Sequence, residues 1–442
     1  MRWFLNAVYV MLLTVLSPLI AFRMWRHQRY RRGLAEKLLG QVSVKLDGRP
    51  VVWFHAVSVG EVIQLQKVVE DFRRQSLNRF LICVSTSTDT GWELAQKRFP
   101  DCQVTWFPLD FSWAVRNAIQ RIQPSLVVLM ELELWPNFLA ECYRKLVPVA
   151  VINARMSERS HRGYRRLRFL LTPLLSRLSL VAAQSTTYAA RLQSLGVPPE
   201  RSSVTGSVKF DGVETSRDNA KTSVLRTLFG LTSSDIVFMA GSTQDPEEQL
   251  AIQSWRQLRK SHANLRLILV PRHKERFDEV AALVEAAGLP LLRRSQLQDS
   301  STPLMKKERP VLLLDTIGEL SACWGLADIA FVGGSFGNRG GQNMMEPAAY
   351  GACVIFGPNT WNFRDIVECF RDADGCIQMN HPEQLAETID KLLLDPSRRA
   401  DLGTNAQRVV LNQQGATSLT SSLLLDVLNA KPAPSDQRQR AA

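Results

Sequence analysis

The residues best suited to chemistry lie in GGQNMMEP, residues 340–347, shortly after an apolar run that ends in Gly333 and Gly334. Glycines after a strand let the backbone approach a ligand, and the N–H groups and dipole of a following helix N-terminus favour a phosphate. Glu346 can accept hydrogen bonds from ribose hydroxyls, and Asn343 can cap the helix. An ordinary strand-to-helix turn with a carboxylate at the helix start explains the same residues as well.

Other apolar runs in the same half of the chain also end in polar residues. AGSTQDPEE (240–248) supplies hydroxyls and an amide, VPRHKER (270–276) places an arginine and a histidine beyond a run, and LDTIGEL (314–320) turns at a glycine. Arginine is suited to bidentate contacts with phosphate. Together these ends predict a nucleotide-bearing ligand, with contacts from Ser242, Thr243, Arg272, His273, Gly318, Gly334, Ser335, Gly341, Gln342, Asn343 and Glu346.

The first half of the chain carries carboxylates in a comparable position. Glu131 and Glu133 follow an apolar run in MELELWPN, and because they are two residues apart they should face the same side of a strand. One of them can position or activate an acceptor hydroxyl, or it can cap the following helix. In HAVSVGE, His55 is either an acceptor contact or a structural histidine, and Ser58 and Gly60 are candidate contacts to phosphate or sugar.

Alternating strands and helices must position these residues. Six apolar runs between residues 51 and 185, and five between 236 and 358, each precede a polar or glycine-bearing turn, as in parallel α/β sheets. A polar stretch, residues 206–234, is predicted as the linker. We therefore expect two Rossmann-like α/β/α domains facing each other across a cleft, residues 23–210 and 211–430, followed by an unstructured tail, residues 431–442.

The N-terminus predicts a membrane anchor. Residues 3–22 contain no charged residue and have about the ~20 residues that cross a bilayer core. Basic residues follow, which predicts an uncleaved anchor over residues 1–22, either spanning the bilayer or lying in one leaflet, with the rest on the cytoplasmic side. A cleaved signal peptide fits less well, because no small-residue cleavage site follows. The basic residues of this anchor region are Arg23, Arg26, Arg29, Arg31 and Arg32.

Charge and composition limit the classes of binding partner and cofactor that fit this chain. Residues 1–50 have nine Lys and Arg against two acids, and a second basic group, residues 155–177, has seven arginines against one glutamate. Together these segments carry +13, so the rest of the chain is close to neutral and the net charge is +12. Two compact patches favour an anionic membrane surface over a nucleic acid. The seven scattered cysteines indicate a reducing compartment. The six histidines lie far apart, so we expect no metal and no other cofactor.

Several motifs, in one order along nearly the whole chain, resemble the Kdo transferases, membrane-associated enzymes of lipopolysaccharide assembly that move Kdo from CMP-Kdo to a lipid A precursor. The resemblance implies the GT-B architecture, an inverting mechanism and the cytoplasmic face of the inner membrane. The motifs are RRGLAEKLLG (31–40), HAVSVGE (55–61), ELELWPN (131–137), NARMSERS (153–160), TGSVKFD (205–211), PRHKER (271–276), FVGGSF (331–336), GGQNMMEP (340–347) and GPNTWNF (357–363).

The resemblance also assigns roles. Glu36 aligns with the catalytic base of the family, although spacing alone makes it an i, i+4 ion-pair partner of Arg32. Glu131 is the second catalytic candidate. This chain has Gln342 where the family commonly has histidine in GGHN, and Gln244-Asp245 where it has a His-Glu pair. The acceptor-binding candidates are His55, Ser58, Gly60, Arg155, Arg159 and Lys209.

Two other classes of protein share part of this pattern. A sugar-nucleotide epimerase has two similar domains and glycines at strand ends, but it needs no anchor followed by arginines. A non-catalytic membrane protein that binds lipid accounts for the anchor and the basic patches, but not for the polar strand ends of the second domain.

Overall fold

The computed structural model of the protein describes residues 2–27, 32–297 and 309–430. It divides the chain into two compact units. One unit runs to Asp211 and resumes at Gln414, and the other covers Gly212–Gln413. Each unit contains a seven-stranded parallel sheet, which confirms the two predicted α/β units.

The first unit is an α/β/α layer structure. Its strands are Val51–His55 (β1), Leu81–Thr86 (β2), Gln103–Trp106 (β3), Pro124–Met130 (β4), Val149–Ala154 (β5), Leu180–Ala183 (β6) and Ser202–Val204 (β7). Their order in the sheet is β3-β2-β1-β4-β5-β6-β7. The helices are Arg2–His27 (α1), Leu34–Leu39 (α2), Val59–Gln75 (α3), Asp89–Arg98 (α4), Ser112–Ile122 (α5), Pro136–Arg144 (α6), Glu158–Arg166 (α7), Arg168–Leu175 (α8) and Thr186–Ser194 (α9).

The second unit repeats this architecture. Its strands are Ile236–Thr243 (β8), Leu265–Pro271 (β9), Leu291–Arg293 (β10), Val311–Leu313 (β11), Ile329–Val332 (β12), Cys353–Phe356 (β13) and Cys376–Gln378 (β14). Their order is β10-β11-β9-β8-β12-β13-β14. The helices are Ala220–Leu228 (α10), Glu247–Leu258 (α11), Phe277–Ala286 (α12), Leu320–Cys323 (α13), Met345–Ala349 (α14), Arg364–Asp372 (α15), Gln384–Leu394 (α16) and Pro396–Asn412 (α17).

The last helix, Ala416–Asn429 (α18), returns to the first unit. Its Leu424 is fully buried in a core cluster with Val62 and Leu65 of α3. Asp211 accepts hydrogen bonds from Gly415 N at 2.7 Å and Thr417 N at 2.5 Å, so one carboxylate holds the start of α18. The sequence placed residues 414–430 in the second domain, and the structure corrects this because the apolar face of α18 packs against α3.

Sequence patterns and structure agree best where strands are buried on both faces. All eleven predicted runs contain strands, since residues such as those of β1 and β4 are continuous apolar runs. The three unpredicted strands, β7, β10 and β14, have three residues each and lie at sheet edges. The predicted linker contains α10, whose Thr222 hydroxyl donates to Ala322 O at 2.8 Å.

Helix α1 is joined to the first unit by polar contacts. Asn6 donates to Ser112 Oγ at 2.8 Å and accepts from Ser112 N at 3.1 Å. The Tyr9 hydroxyl donates to Asp110 Oδ2 at 2.9 Å, and its ring meets Phe111 edge-on. None of the described helices has both the length and the apolar character needed to cross a membrane. The predicted basic residues Arg29 and Arg31, and the tail 431–442, lie outside the described residues.

Candidate functional site

Two glycines fix the short helix that carries Glu36. Gly33 and Gly40 flank α2, and both have left-handed φ angles, 67° and 66°. A Cβ on Gly33 would lie 2.2 Å from Trp106 Cδ1, and one on Gly40 would lie 1.9 Å from Ala114 O. Only glycine satisfies both the backbone angle and the contact. RRGLAEKLLG therefore places a half-buried Glu36 at a defined position on the first unit.

Lys37 of the same helix packs against a pair of tryptophans. The Lys37 ammonium lies 3.7 Å from the centroid of the Trp106 ring, which stacks on Trp92 with centroids 4.5 Å apart. Burial lowers the pKa of Lys37, and the carboxylates of Asp89 and Glu36 act in the opposite direction. Glu36 thus lies within electrostatic range of a cation beside an aromatic surface.

Glu131 lies where β4 ends. It has a left-handed φ of 54°, and its N–H donates to Ile152 O at 3.0 Å. Its Oε2 accepts from Arg155 Nε at 3.1 Å. The strand ends at Met130, so strand alternation does not relate Glu131 to Glu133 as the sequence suggested. The structure instead pairs the predicted catalytic residue Glu131 with the predicted acceptor residue Arg155.

Glu61, Glu131 and Glu133 lie within electrostatic range of one another at this edge of the first sheet. Burial raises the pKa of Glu61, and the charge of Glu131 adds to this effect. Burial likewise raises the pKa of Glu133, with further contributions from Glu61 and Glu131. Burial and the charge of Glu133 raise the pKa of Tyr164. Closely spaced acidic groups in a partly buried site can exchange a proton with a bound hydroxyl, so the cluster suits proton transfer or hydroxyl binding.

Sequence analysis did not select Glu61 as a site residue. Its Oε2 accepts from Val57 N at 2.9 Å, and its Oε1 accepts from the Ser58 hydroxyl at 2.9 Å. Ser58 in turn accepts from Glu61 N, so the two residues form a reciprocal cap at the start of α3. The Ser-x-x-Glu spacing was the available signal, and it indicates a helix start rather than a functional carboxylate.

Other acceptor candidates of the first unit differ in accessibility. His55 is fully buried, its Nδ1 lies 3.0 Å from Ser85 Oγ, and its ring stacks on Phe107 at 3.7 Å. Burial lowers its pKa to about 3, which favours the structural interpretation of His55. Its contact with the acceptor stays a prediction. Gly60 and Arg159 are exposed, and Lys209 is half-buried.

The glycine turn after β12 is held by a carboxylate from the second unit itself. Glu247, at the start of α11, is buried and accepts from Gly334 N at 2.7 Å, Ser335 N at 3.0 Å and Phe336 N at 3.2 Å. It also accepts from Gln244 N at 3.0 Å. The sequence assigned these turn N–H groups to a phosphate. The structure corrects this, because Glu247 already accepts from them.

Ser335 is also engaged within the protein. It is fully buried, and its hydroxyl donates to Val332 O at 2.8 Å and accepts from Gly357 N at 2.9 Å. This corrects the prediction that Ser335 contacts the nucleotide-bearing ligand. Gly341 closes the same loop, since its N–H donates to Gly334 O at 2.8 Å and its φ of 83° favours glycine.

Two glutamines lie over Gly334. A Cβ on this glycine, whose φ is 66°, would lie 3.3 Å from Gln342 Nε2 and 3.5 Å from Gln244 Nε2. Next in the chain, Asn343 donates to Glu346 Oε1 at 2.8 Å and accepts from Met345 N at 3.1 Å. Met344 is the N-cap of α14, so Asn343 holds the helix start from one residue further upstream, and the predicted N-cap position was wrong. The structure thus brings together the Gly334, Gln342 and Gln244 positions at one strand end.

The remaining donor candidates are spread over neighbouring strand ends. Arg272 and His273 are exposed immediately after β9, and Arg272 N donates to Thr243 O at 3.0 Å. Ser242 and Thr243 are buried. Gly318 is exposed beside a pocket of about 350 Å³ whose lining includes Lys221, Arg294 and Ile317. The exposed cation of Arg272 is the group in this set best suited to a phosphate.

Within residues 2–27, 32–297 and 309–430, no cluster of His, Cys, Asp and Glu side chains is arranged to hold a metal ion. The expectation that no metal takes part stays a prediction.

Sequence comparisons with known proteins identify the family of this chain. The family model described as 3-deoxy-D-manno-octulosonic-acid transferase (kdotransferase) matches residues 26–212. The 3-deoxy-D-manno-octulosonic acid transferase of Haemophilus influenzae is 33% identical over 422 residues, 94% of this chain and 97% of the relative. The enzyme of that name from Bordetella pertussis is 34% identical over 438 residues, 96% of this chain and 99% of the relative.

A solved structure supports the fold. The UDP-GlcNAc 2-epimerase from Neisseria meningitidis, bound to UDP-GlcNAc, matches with a TM-score of 0.55 at 12% identity, covering 85% of this chain and 100% of the epimerase. At this identity the likeness concerns the fold alone.

Proposed function

Because the chain belongs to the 3-deoxy-D-manno-octulosonic acid (Kdo) transferase family, we propose that it transfers Kdo from CMP-Kdo to a lipid A precursor in lipopolysaccharide biosynthesis. The activity is that of a glycosyltransferase. One observation of the structure supports the chemistry more than any other: two glycines that tolerate no side chain hold Glu36 on a short helix of the first unit.

In the proposed reaction, Glu36 takes the proton of the acceptor hydroxyl while the hydroxyl oxygen attacks the anomeric carbon of Kdo. The bond between that carbon and the phosphate oxygen breaks, and CMP leaves with the bonding electron pair. A single displacement of this kind inverts the anomeric configuration. Glu131, held by Arg155, helps to position the acceptor.

The second unit supplies the donor contacts in this proposal. The exposed Arg272 and His273 meet the phosphate of CMP, because a guanidinium group stabilises the negative charge that develops on the leaving group. Glu346, at the first turn of α14, accepts hydrogen bonds from hydroxyls of the nucleotide.

Membrane association is a further part of the proposal. Trp3, Phe4 and Val15 of α1 are 73%, 71% and 71% exposed, although α1 is attached to the first unit through Asn6 and Tyr9. Large apolar side chains exposed on a helix that is held against a domain suit a helix lying in the membrane interface. The arginines of residues 155–177 then face anionic head groups at the cytoplasmic face of the inner membrane, each contributing about 1 kcal/mol.

The deciding experiment follows radiolabelled Kdo in a reaction that contains detergent-solubilised lipid A precursor and CMP-Kdo generated in situ. We expect label in the lipid, with one CMP released for each sugar transferred. Release of CMP without labelled lipid, or no loss of donor at all, would contradict the proposal. A sugar-nucleotide epimerase would instead alter a nucleotide sugar without any lipid acceptor, and a non-catalytic lipid-binding protein would consume no donor.

A further inference from the structure

Backbone N–H groups at the turn after β12 are occupied within the protein. Glu247 accepts from the N–H groups of Gly334, Ser335 and Phe336, and the Ser335 hydroxyl is bonded to Val332 O. A ligand at this strand end must therefore be recognised by side chains. The side chains closest to the open face of Gly334 are Gln342 and Gln244.

The two glutamine amides are positioned together. Built onto Gly334, a Cβ would lie 3.2 Å from Gln342 Cγ, 3.3 Å from Gln342 Nε2 and 3.5 Å from Gln244 Nε2. Both glutamines are half-buried. Across the described part of the chain, neither side-chain amide forms a hydrogen bond with another protein group, whereas the backbone of Gln244 is fixed by its two bonds with Glu247. Two amides are thus held close to one glycine with donors and acceptors unused.

The chemistry of this pair fits hydroxyl groups better than a phosphate or carboxylate. An amide both donates and accepts, which matches a hydroxyl, and two amides side by side match two neighbouring hydroxyls. The Glu247 carboxylate lies directly beneath, with Oε2 only 2.7 Å from where a Cβ of Gly333 would be. A ligand anion over this turn would face that carboxylate without a compensating cation from the pair.

We propose that Gln244 and Gln342 form a subsite that binds neighbouring hydroxyl groups of the sugar nucleotide, with Glu247 as the residue that positions the turn beneath them. This inference rests on the proposed function, which supplies the donor. Neighbouring hydroxyls occur both on the ribose of the nucleotide and on the transferred sugar, and the experiment separates these two sources.

The variants are Gln244→Leu, Gln342→Leu, Gln244→Glu and Gln342→Glu in the full chain. Leucine keeps most of the side-chain volume and removes the hydrogen bonds. Glutamate still accepts from hydroxyls but repels an anion. Gln253→Leu and Gln253→Glu serve as matched controls, since Gln253 is exposed on α11. For each protein we would measure the KM for CMP-Kdo, kcat, the Kd for CMP by calorimetry, and the thermal unfolding midpoint.

We expect each leucine variant to raise the donor KM about fivefold to tenfold with kcat changed less than about threefold, as for loss of neutral hydrogen bonds. Each glutamate variant keeps the acceptor and should raise the donor KM no more than the leucine variant at the same position, whereas both controls should stay within about threefold of the wild type. An equal change in CMP affinity would place the hydroxyls on the ribose, and an unchanged CMP affinity would place them on the transferred sugar.

Two results would overturn the subsite while wild-type transfer is intact. One is a donor KM unchanged in both leucine variants. The other is a rise above about thirtyfold in the glutamate variants alone, which would show that the pair binds an anion. Absence of transfer by the wild type would contradict the proposed function instead, so the two failures are distinguishable.

Discussion

Arg32 pairs with Glu93 and not with Glu36: Arg32 Nη1 donates to Glu93 Oε1 at 2.9 Å. The spacing of Arg32 and Glu36 suggested an i, i+4 ion pair that would occupy the carboxylate. Within the described residues, the Glu36 carboxylate forms no ion pair or hydrogen bond. A carboxylate without a fixed partner is available to a substrate hydroxyl.

The first prediction compares these two acidic residues. Glu36→Gln should lower transfer by at least about 10²-fold while CMP still binds, because the amide keeps the shape but accepts no proton. Glu93→Gln is the matched control. It should leave transfer and stability nearly unchanged, since the Arg32–Glu93 pair is 62% and 58% exposed and such pairs contribute about 0–1 kcal/mol. Near-normal transfer by Glu36→Gln would remove Glu36 from the mechanism.

The second prediction concerns the phosphate. Arg272→Ala should weaken CMP binding about tenfold or more in calorimetry, because an exposed guanidinium at the end of β9 is lost. Glu346→Ala should also weaken it, through loss of a hydroxyl acceptor. Arg256→Ala, an exposed arginine on α11, is the control and should bind CMP as the wild type does. Equal affinities in all four proteins would contradict this location of the nucleotide.

The third prediction uses the buried His55. Its folded-state pKa is lowered to about 3, whereas an unfolded histidine titrates near ~6.5. Only the unfolded chain takes up this proton between those values, so stability is complete above pH 6.5 and falls as the pH drops toward 3. His55→Phe removes this effect. Between pH 6.5 and 4.5, its free energy of unfolding should fall by about 2 kcal/mol less than that of the wild type.

The same variant tests the acceptor interpretation of His55. Phenylalanine keeps a ring that can stack on Phe107, so transfer at pH 7.5 should remain within about threefold of the wild type. A large rise in the acceptor KM, without loss of folded protein, would instead show that His55 contacts the acceptor.

The fourth prediction separates the acceptor from the donor. Arg155→Ala removes the partner of Glu131, and Arg159→Ala removes an exposed cation of α7, so both should raise the acceptor KM more than the donor KM. The expected change is about fivefold to tenfold for Arg155 and less for Arg159. Arg121→Ala, exposed at the end of α5, should change neither constant. A uniform effect of all three would indicate only a loss of general positive charge.

The fifth prediction tests the start of α18. Asp211→Ala leaves the N–H groups of Gly415 and Thr417 without their acceptor, and should lower the free energy of unfolding by about 1–2 kcal/mol. Asp218→Ala is the control, because Asp218 is exposed and, among the described residues, its side chain caps no helix. Equal unfolding midpoints for both variants and the wild type would show that the cap is not required.

Sequence was informative where a local pattern determines the structure. Continuous apolar runs predicted eleven strands, because strands covered on both faces have no polar side. The need for the glycines of RRGLAEKLLG was not predicted, because the contacts that require them, Trp106 and Ala114, come from residues far along the chain. The three-residue edge strands were missed because such segments carry too little pattern.

Contacts between distant segments explain what sequence could not predict. The N–H groups of the turn at Gly334 looked available for a phosphate, but Glu247 from another helix accepts from them. The N-terminus of α6 looked like a site for Glu131 or Glu133, but Asp110 accepts from Asn137 N at 3.0 Å and Phe138 N at 2.8 Å. The residues next to Glu247 and Asp110 in the sequence form no pattern that predicts these long-range contacts.

The return of α18 to the first unit has a consequence for the order of events on the ribosome. Residues 416–429 are translated only after the whole of Gly212–Gln413. Until then, the α3 surface around Val62 and Leu65 lacks the helix that covers it in the folded protein. Asp211 is made early and its two N–H partners late. We therefore expect the newly made first unit to need either protection of this surface by a chaperone or rapid completion of the chain.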